Sequence, residues 1–282
     1  MILPESGCKG QLADMGSTLG VIITHPWSVL GGDMDNTIVV ALALWFQQLG
    51  ATTLRFDFNG SQIGRGYTQI DQVVEAATYL LSGQYLDSAN EHDETSSITP
   101  SNGNGKAPPT TQQQQRQHQV KPRYILLVGY SYGSIICGSA SAQINNCIGV
   151  ISVAPPFGVR HWLYAFNGNH HLKQARIKTS LKRLYIIGSN DNFTSEHLFT
   201  EILHDFPVDS TTGAVLKDAD HFFHGRKKEL MDIIGQWLLL EYPQCGGHLH
   251  QLPKCNFALS MEGRTEGGAG SQSLVCNMCT AG

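Results

Sequence analysis

Residues 123–138 read RYILLVGYSYGSIICG. The run Arg123 to Gly129 is apolar without alternation, the pattern of a parallel strand buried on both faces. It runs directly into Gly129-Tyr130-Ser131-Tyr132-Gly133, a G-x-S-x-G, and then into a small-residue segment with helical character from Tyr132 to Ile144. A serine between a strand and a helix on so sharp a turn needs small residues on both sides, because side chains there would clash where the two elements approach. The turn thereby holds Ser131 in a strained, exposed conformation.

Outward from this block the same alternation continues. Upstream, Gly20 to Thr24 (GVIIT) reads as a buried strand. Asp35 or Asn36 caps a helix reaching Gln48, on which Val39, Leu42, Trp45, Phe46 and Leu49 recur at three and four residues. A strand at Thr52 to Phe58 and a helix at Gln69 to Leu81 follow. Downstream, Cys147 to Val153, Leu184 to Gly188 and Ala214 to Lys217 read as strands, and Glu196 to Leu203 and Arg226 to Leu240 as helices. Alternating strands and helices predict one α/β domain over residues 18–242, a doubly wound and mostly parallel sheet with its site at the carboxyl ends of the strands. Residues 1–17 read as an extension, about 84–120 as a disordered polar insertion containing Gln112 to Gln115, and 243–282 as a Cys/Gly-rich, disordered tail. Only residues 154–183 separate two successive predicted strands where a cap would be inserted, so no separate cap domain is expected; HWLYAF (161–166) offers at most a short flap.

A serine hydroxyl becomes a nucleophile when an imidazole takes its proton, and the imidazole needs a carboxylate to fix its tautomer. In strand-turn-helix serine enzymes the chain order is nucleophile, acid, base, with the last two on loops after later strands. Asp191, in GSNDNF just past the strand ending at Gly188, fits the acid. His221, in DADHFF after the last strand, fits the base, with Phe222 and Phe223 expected to wall its ring and His224 as the rival three residues on. An oxyanion hole requires two backbone N–H groups. Tyr132, next to the serine, supplies one. The loop HPWSVLGG (25–32) supplies the other, and since Pro26 has no N–H, Trp27 is the candidate. His25 reads as a residue that shapes this loop.

Taken together, HPWSVLGGDMDN (25–36), LRFDFNG (54–60), GYSYGS (129–134), APP (154–156), GSNDNF (188–193) and ADHFFHGRKKEL (219–230) make the chain resemble the α/β-hydrolases, and within them the small lidless bacterial-type hydrolases related to the serine aminopeptidase and dienelactone hydrolase branches. The resemblance covers most of residues 18–242 and implies Ser131 as nucleophile, Asp191 as acid, His221 as base and Trp27 with Tyr132 as oxyanion donors. NGSQIGRGYTQ (59–69) is longer than the glycine turn usual in that family. The expected activity is hydrolysis of a small acyl substrate, an ester, thioester or amide, without cofactor or metal. Acyl transfer on the same residues and a non-catalytic ligand-binding homologue are the alternatives.

Composition sets the remaining limits. Apolar residues make up 41% of the 282, enough for a core, and 19 Lys+Arg against 23 Asp+Glu leave a net charge of -4, which argues against nucleic acid as the main partner. No apolar run approaches the roughly 18 residues that span a bilayer, so no membrane insertion is expected. The opening residues lack a signal-peptide pattern and Cys8, Cys137 and Cys147 stand singly, which predicts a cytoplasmic, reducing compartment. Cys245, His248, His250, Cys255, Cys276 and Cys279 supply enough ligands for one zinc ion, but the loose spacing favours an unstructured tail without metal. The oligomeric state is not read from the sequence.

Overall fold

Most strands and helices of the computed structural model, which describes residues 1–60, 65–86, 120–159 and 167–257, fall near where the hydrophobic pattern places them, but the helix Gly168–Arg176 has no counterpart in the sequence reading and the one opening at Tyr132 ends at Ala140 rather than Ile144. Seven strands form one sheet in the order β1-β3-β2-β4-β5-β6-β7. They are β1 (Gly10–Ala13), β2 (Leu19–Thr24), β3 (Thr52–Phe56), β4 (Tyr124–Tyr130), β5 (Cys147–Val153), β6 (Lys182–Gly188) and β7 (Thr211–Leu216). All pair in parallel except β1, which runs antiparallel to β3 with Gly10 opposite Phe56 and Ala13 opposite Thr53. Among the described residues the α-helices are α1 (Thr37–Gln48), α2 (Tyr67–Ser82), α3 (Tyr132–Ala140), α4 (Gly168–Arg176), α5 (Glu196–His204) and α6 (Lys227–Glu241).

Successive strand side chains point to opposite faces, so each inner strand supplies two cores. Val21, Ile23, Leu126 and Val128 pack under Val39, Leu42 and Phe46 of α1 and Ile234, Trp237 and Leu238 of α6. Ile22, Leu54, Ile125 and Leu127 face the other way, under Val73, Ala77 and Leu80 of α2 and Ile136 and Ala140 of α3. Both faces of the central strands are therefore dry, which is why β2 and β4 read as unbroken apolar runs. The sheet sends its parallel strands to a common edge, where the loops after β2, β4, β5, β6 and β7 meet.

Four expectations change. The supposed extension at residues 1–17 contains β1, and Leu3 and Cys8 are buried against Phe56 and Phe58 of the second core. The boundary at Tyr242 is too early, because residues 243–257 are part of the domain: Leu252 and Phe257 are 1% exposed, and the Pro253 carbonyl accepts from the Thr18 N–H (3.2 Å) and hydroxyl (2.5 Å). Their order comes from burial in short 3-10 turns, which leave no helix or strand period to read. Cys245 and Cys255, considered above as zinc ligands, are joined by a disulfide, while Cys8, Cys137 and Cys147 are free and buried. The insertion also starts later than residue 84, since Tyr85 is buried in the second core. Residues 87–119, the segment 161–166 and residues 258–282, with Cys276 and Cys279, lie outside the described residues. No described helix is long and apolar enough to cross a membrane.

Candidate active site

The turn after β4 has the shape its glycines require. A Cβ at Gly129 would stand 2.4 Å from the Gly133 carbonyl oxygen and from Cα of Ser134, and one at Gly133 would stand 2.5 Å from Oγ1 of Thr24. Both are far inside van der Waals contact, so neither position accepts a side chain. Between them Ser131 adopts φ 52° and ψ -120°, a conformation that costs a non-glycine residue about 1–3 kcal/mol and persists only under external restraint. The restraint is visible. The Ser131 N–H donates to the Val153 carbonyl at the end of β5 (2.8 Å), and its carbonyl accepts from the N–H and hydroxyl of Ser134 (3.0 and 2.5 Å).

Two chain-distant side chains converge on this turn. Nε2 of His221 lies 3.1 Å from Oγ of Ser131, and Nδ1 of His221 lies 2.9 Å from Oδ2 of Asp191. The carboxylate can only accept, so Nδ1 carries the ring proton and Nε2 is left to accept from the serine hydroxyl. The other carboxylate oxygen, Oδ1, accepts from the N–H groups of Phe193 (2.7 Å) and Thr194 (3.1 Å). Asp191 is thus fully hydrogen-bonded with its side chain entirely enclosed. His221 is fixed from behind as well, since the Tyr130 hydroxyl donates to its carbonyl (3.1 Å).

His224 is not part of this group: it is exposed and its Nδ1 pairs with Asp220 (2.7 Å). The expected wall of Phe222 and Phe223 is only half present. Phe222 meets the imidazole edge-on at 5.4 Å, but Phe223, at φ 50°, turns into the core. Among the described residues, the ring closest to the imidazole is Phe193, with centroids 4.3 Å apart. Phe193, Thr194 and the Tyr130 hydroxyl were not singled out by the sequence. Tyr130 fills an unspecified position of G-x-S-x-G, nothing in the motif assigns a role to Phe193, and Thr194 carries no local signal at all.

The loop after β2 lies against the elbow, its His25 carbonyl 2.7 Å from where a Cβ of Gly133 would be. His25 is buried and tied at both nitrogens: Nε2 accepts from the Phe58 N–H (2.9 Å), and Nδ1 donates to the Pro26 carbonyl (2.5 Å). Burial pushes its pKa down, which keeps the ring neutral and suited to accept from a backbone donor. Trp27 follows at the head of the turn Ser28–Leu30, its carbonyl accepting from the N–H groups of Leu30 and Gly32 (3.0 and 3.1 Å). Tyr132 opens α3, so its peptide sits at the positive end of a helix beside Ser131. Burial pushes the Cys137 and Cys147 thiols up to about 12, so neither competes as a nucleophile. Among the described residues, no group of three or more His, Cys, Asp or Glu is placed to hold a metal ion.

No family model matches the sequence. The uncharacterized protein C959.06c of Schizosaccharomyces pombe is 24% identical over 230 residues, covering 79% of this chain and 86% of that one. Among solved structures, a serine hydrolase without a lid from Xanthomonas campestris aligns over 84% of this chain and 96% of its own, with a TM-score of 0.55 and 18% identity. The Pyrococcus furiosus esterase Pf2001 aligns over 84% and 89%, with a TM-score of 0.58 and 17% identity. With the seven-stranded sheet and its flanking helices, these likenesses establish that the chain has the α/β-hydrolase fold.

Proposed function

We propose that the protein is a serine hydrolase that cleaves an ester, thioester or amide of a small substrate through an acyl-serine intermediate. The observation that carries this reading is the unbroken hydrogen-bond relay Ser131–His221–Asp191 on a strained strand-to-helix turn. Neighbours of the same fold described as a serine hydrolase and an esterase support it.

In this mechanism His221 Nε2 takes the Ser131 hydroxyl proton as Oγ bonds to the substrate's carbonyl carbon. The negative charge that develops on the carbonyl oxygen is met by the backbone N–H groups of Tyr132 and Trp27, the first reinforced by the α3 dipole. The tetrahedral adduct collapses, and the leaving group takes the proton from Nε2. Water then enters, gives a proton to His221 and attacks the acyl-Ser131 carbonyl. The acid departs and the proton returns to Oγ. Asp191 remains ionised throughout, holding the imidazole tautomer and offsetting the charge of the imidazolium.

Hydrolysis of p-nitrophenyl esters of graded acyl length tests the proposal. Ser131→Ala should lose about 10³-fold or more in kcat, since the three residues act as a unit. Undiminished turnover in that variant refutes the assignment. Turnover only when an alcohol or thiol acceptor is added would instead identify acyl transfer on the same residues.

A further inference from the structure

The acid and the nucleophile follow different strands, β6 and β4, and what joins them is the segment after β5. Its first residues bond both ways: the Val153 carbonyl accepts from the Ser131 N–H (2.8 Å), and the Ala154 N–H donates to Ile186 of β6 (2.7 Å). Ala154 then bends the chain at φ 48°. The next stretch is gripped by one side chain, Thr194, which is 1% exposed. Its hydroxyl donates to the Pro155 carbonyl (2.6 Å) and accepts from the Phe157 N–H (2.8 Å). A second clasp lies beside it, the Gly158 N–H donating to the Phe193 carbonyl (2.8 Å), at an approach so close that a Cβ on Gly158 would stand 2.2 Å from that oxygen.

The same two residues, Phe193 and Thr194, give their N–H groups to Oδ1 of Asp191. Thr194 therefore faces two ways: its backbone orients the carboxylate and its hydroxyl ties that backbone to the segment that also holds Ser131. We propose that Thr194 is a positioning residue, which sets the reach of Asp191 toward His221 by clasping the loop after β6 to the loop after β5. This rests on the proposed Ser131–His221–Asp191 relay.

Removing the hydroxyl while keeping the volume, as in Thr194→Val, cuts both bonds to the loop after β6 and leaves the buried Phe157 N–H and Pro155 carbonyl with only each other, at 2.9 Å within a tight turn. Losing these bonds leaves the buried groups under-satisfied and removes one of the two clasps between the loops, so the loops shift apart. A displacement near 1 Å at a catalytic group costs about 10²-fold. Thr194→Val should thus lower kcat on a p-nitrophenyl ester by about 10- to 100-fold with KM changed less than about twofold, because the substrate is not touched. Thr194→Ser restores the hydroxyl and should stay within about threefold of wild type by the same argument.

A core role unconnected with the relay is separated by repeating Thr194→Val in an Asp191→Ala background and following the rate of Ser131 labelling by a fluorophosphonate. If Thr194 acts through Asp191, the second substitution adds less than about twofold there. Multiplied losses in both backgrounds, a valine variant within twofold of wild type, or a serine variant as weak as valine each overturn the proposal. Should the valine variant misfold, Thr194→Ala, which introduces no misplaced methyl, gives the same comparison. Failure of the underlying reading shows separately, as labelling undiminished in Ser131→Ala.

Discussion

Asp191→Asn isolates the electrostatic part of the relay with almost no change of shape, and the hydrogen-bond pattern dictates which way the new amide faces. At Oδ1 the wild-type carboxylate receives two backbone N–H groups, at 2.7 and 3.1 Å. Those donors require an acceptor, so the asparagine oxygen goes there and its NH₂ occupies the Oδ2 position, 2.9 Å from Nδ1 of His221. Two donors now face each other unless the imidazole moves its proton to Nε2. That tautomer places an N–H toward Ser131 across 3.1 Å, where it no longer accepts the hydroxyl proton. An aspartate-to-asparagine change in the same role in a serine protease costs about 10⁴ in kcat, or about 5.5 kcal/mol of barrier. We expect a loss of that order here, with the variant folded and its melting temperature little changed, measured as initial rates on an activated ester across pH 6–9. A variant keeping more than about a tenth of wild-type kcat would refute the tautomer argument, because no relay through Nδ1 survives it.

Two further outcomes follow from burial. His25 has its pKa lowered in the fold, so between that lowered value and the unfolded value of 6.5 the unfolded chain binds more protons and stability rises with pH. Equivalently, the contribution present above pH 6.5 is lost as pH falls toward the folded value. His25→Gln, whose amide oxygen reaches the place of Nε2, should make the loss of unfolding free energy below pH 6.5 shallower by up to about 1.4 kcal/mol per pH unit, and parallel curves in urea titrations would contradict this. Phe257 packs edge-on against Tyr124 and Tyr242 (centroids 5.0 and 5.3 Å), so Phe257→Ala should lower stability by about 3–5 kcal/mol while leaving kcat near wild type at low temperature. A change within 0.5 kcal/mol would mean that the segment 243–257 is not part of the core.

The sequence shows most of the sheet and the relay because their signals are local. β2, β4 and β5 are largely apolar runs, β6 carries one from Leu184 onward, and Ser131, Asp191 and His221 each follow a strand end in the order that three loops at one sheet edge require. What it hides depends on partners far along the chain. β1 is four residues, GQLA, with one large apolar side chain, and exists because β3 offers an open edge. The segment 243–257 is held by Thr18, more than 200 residues away, and by a disulfide between cysteines with no distinguishing spacing. Phe193 rather than Phe223 lies over the imidazole because the backbone reverses at Phe223, an event that the paired phenylalanines of DADHFF do not announce. Thr194 finds its two partners 37 and 39 residues upstream, so nothing in DNFT distinguishes it from a capping threonine.

The central claim is that Ser131 is a nucleophile activated by His221, and covalent capture tests it most directly. The folded protein, incubated with a fluorophosphonate and digested for mass spectrometry, should yield one adduct on the peptide carrying Ser131. Ser131→Ala should yield none and His221→Ala a strongly slowed one, with His224→Ala labelled at the wild-type rate. A folded protein that is not labelled, or is labelled at another residue with Ser131 untouched, would contradict the account.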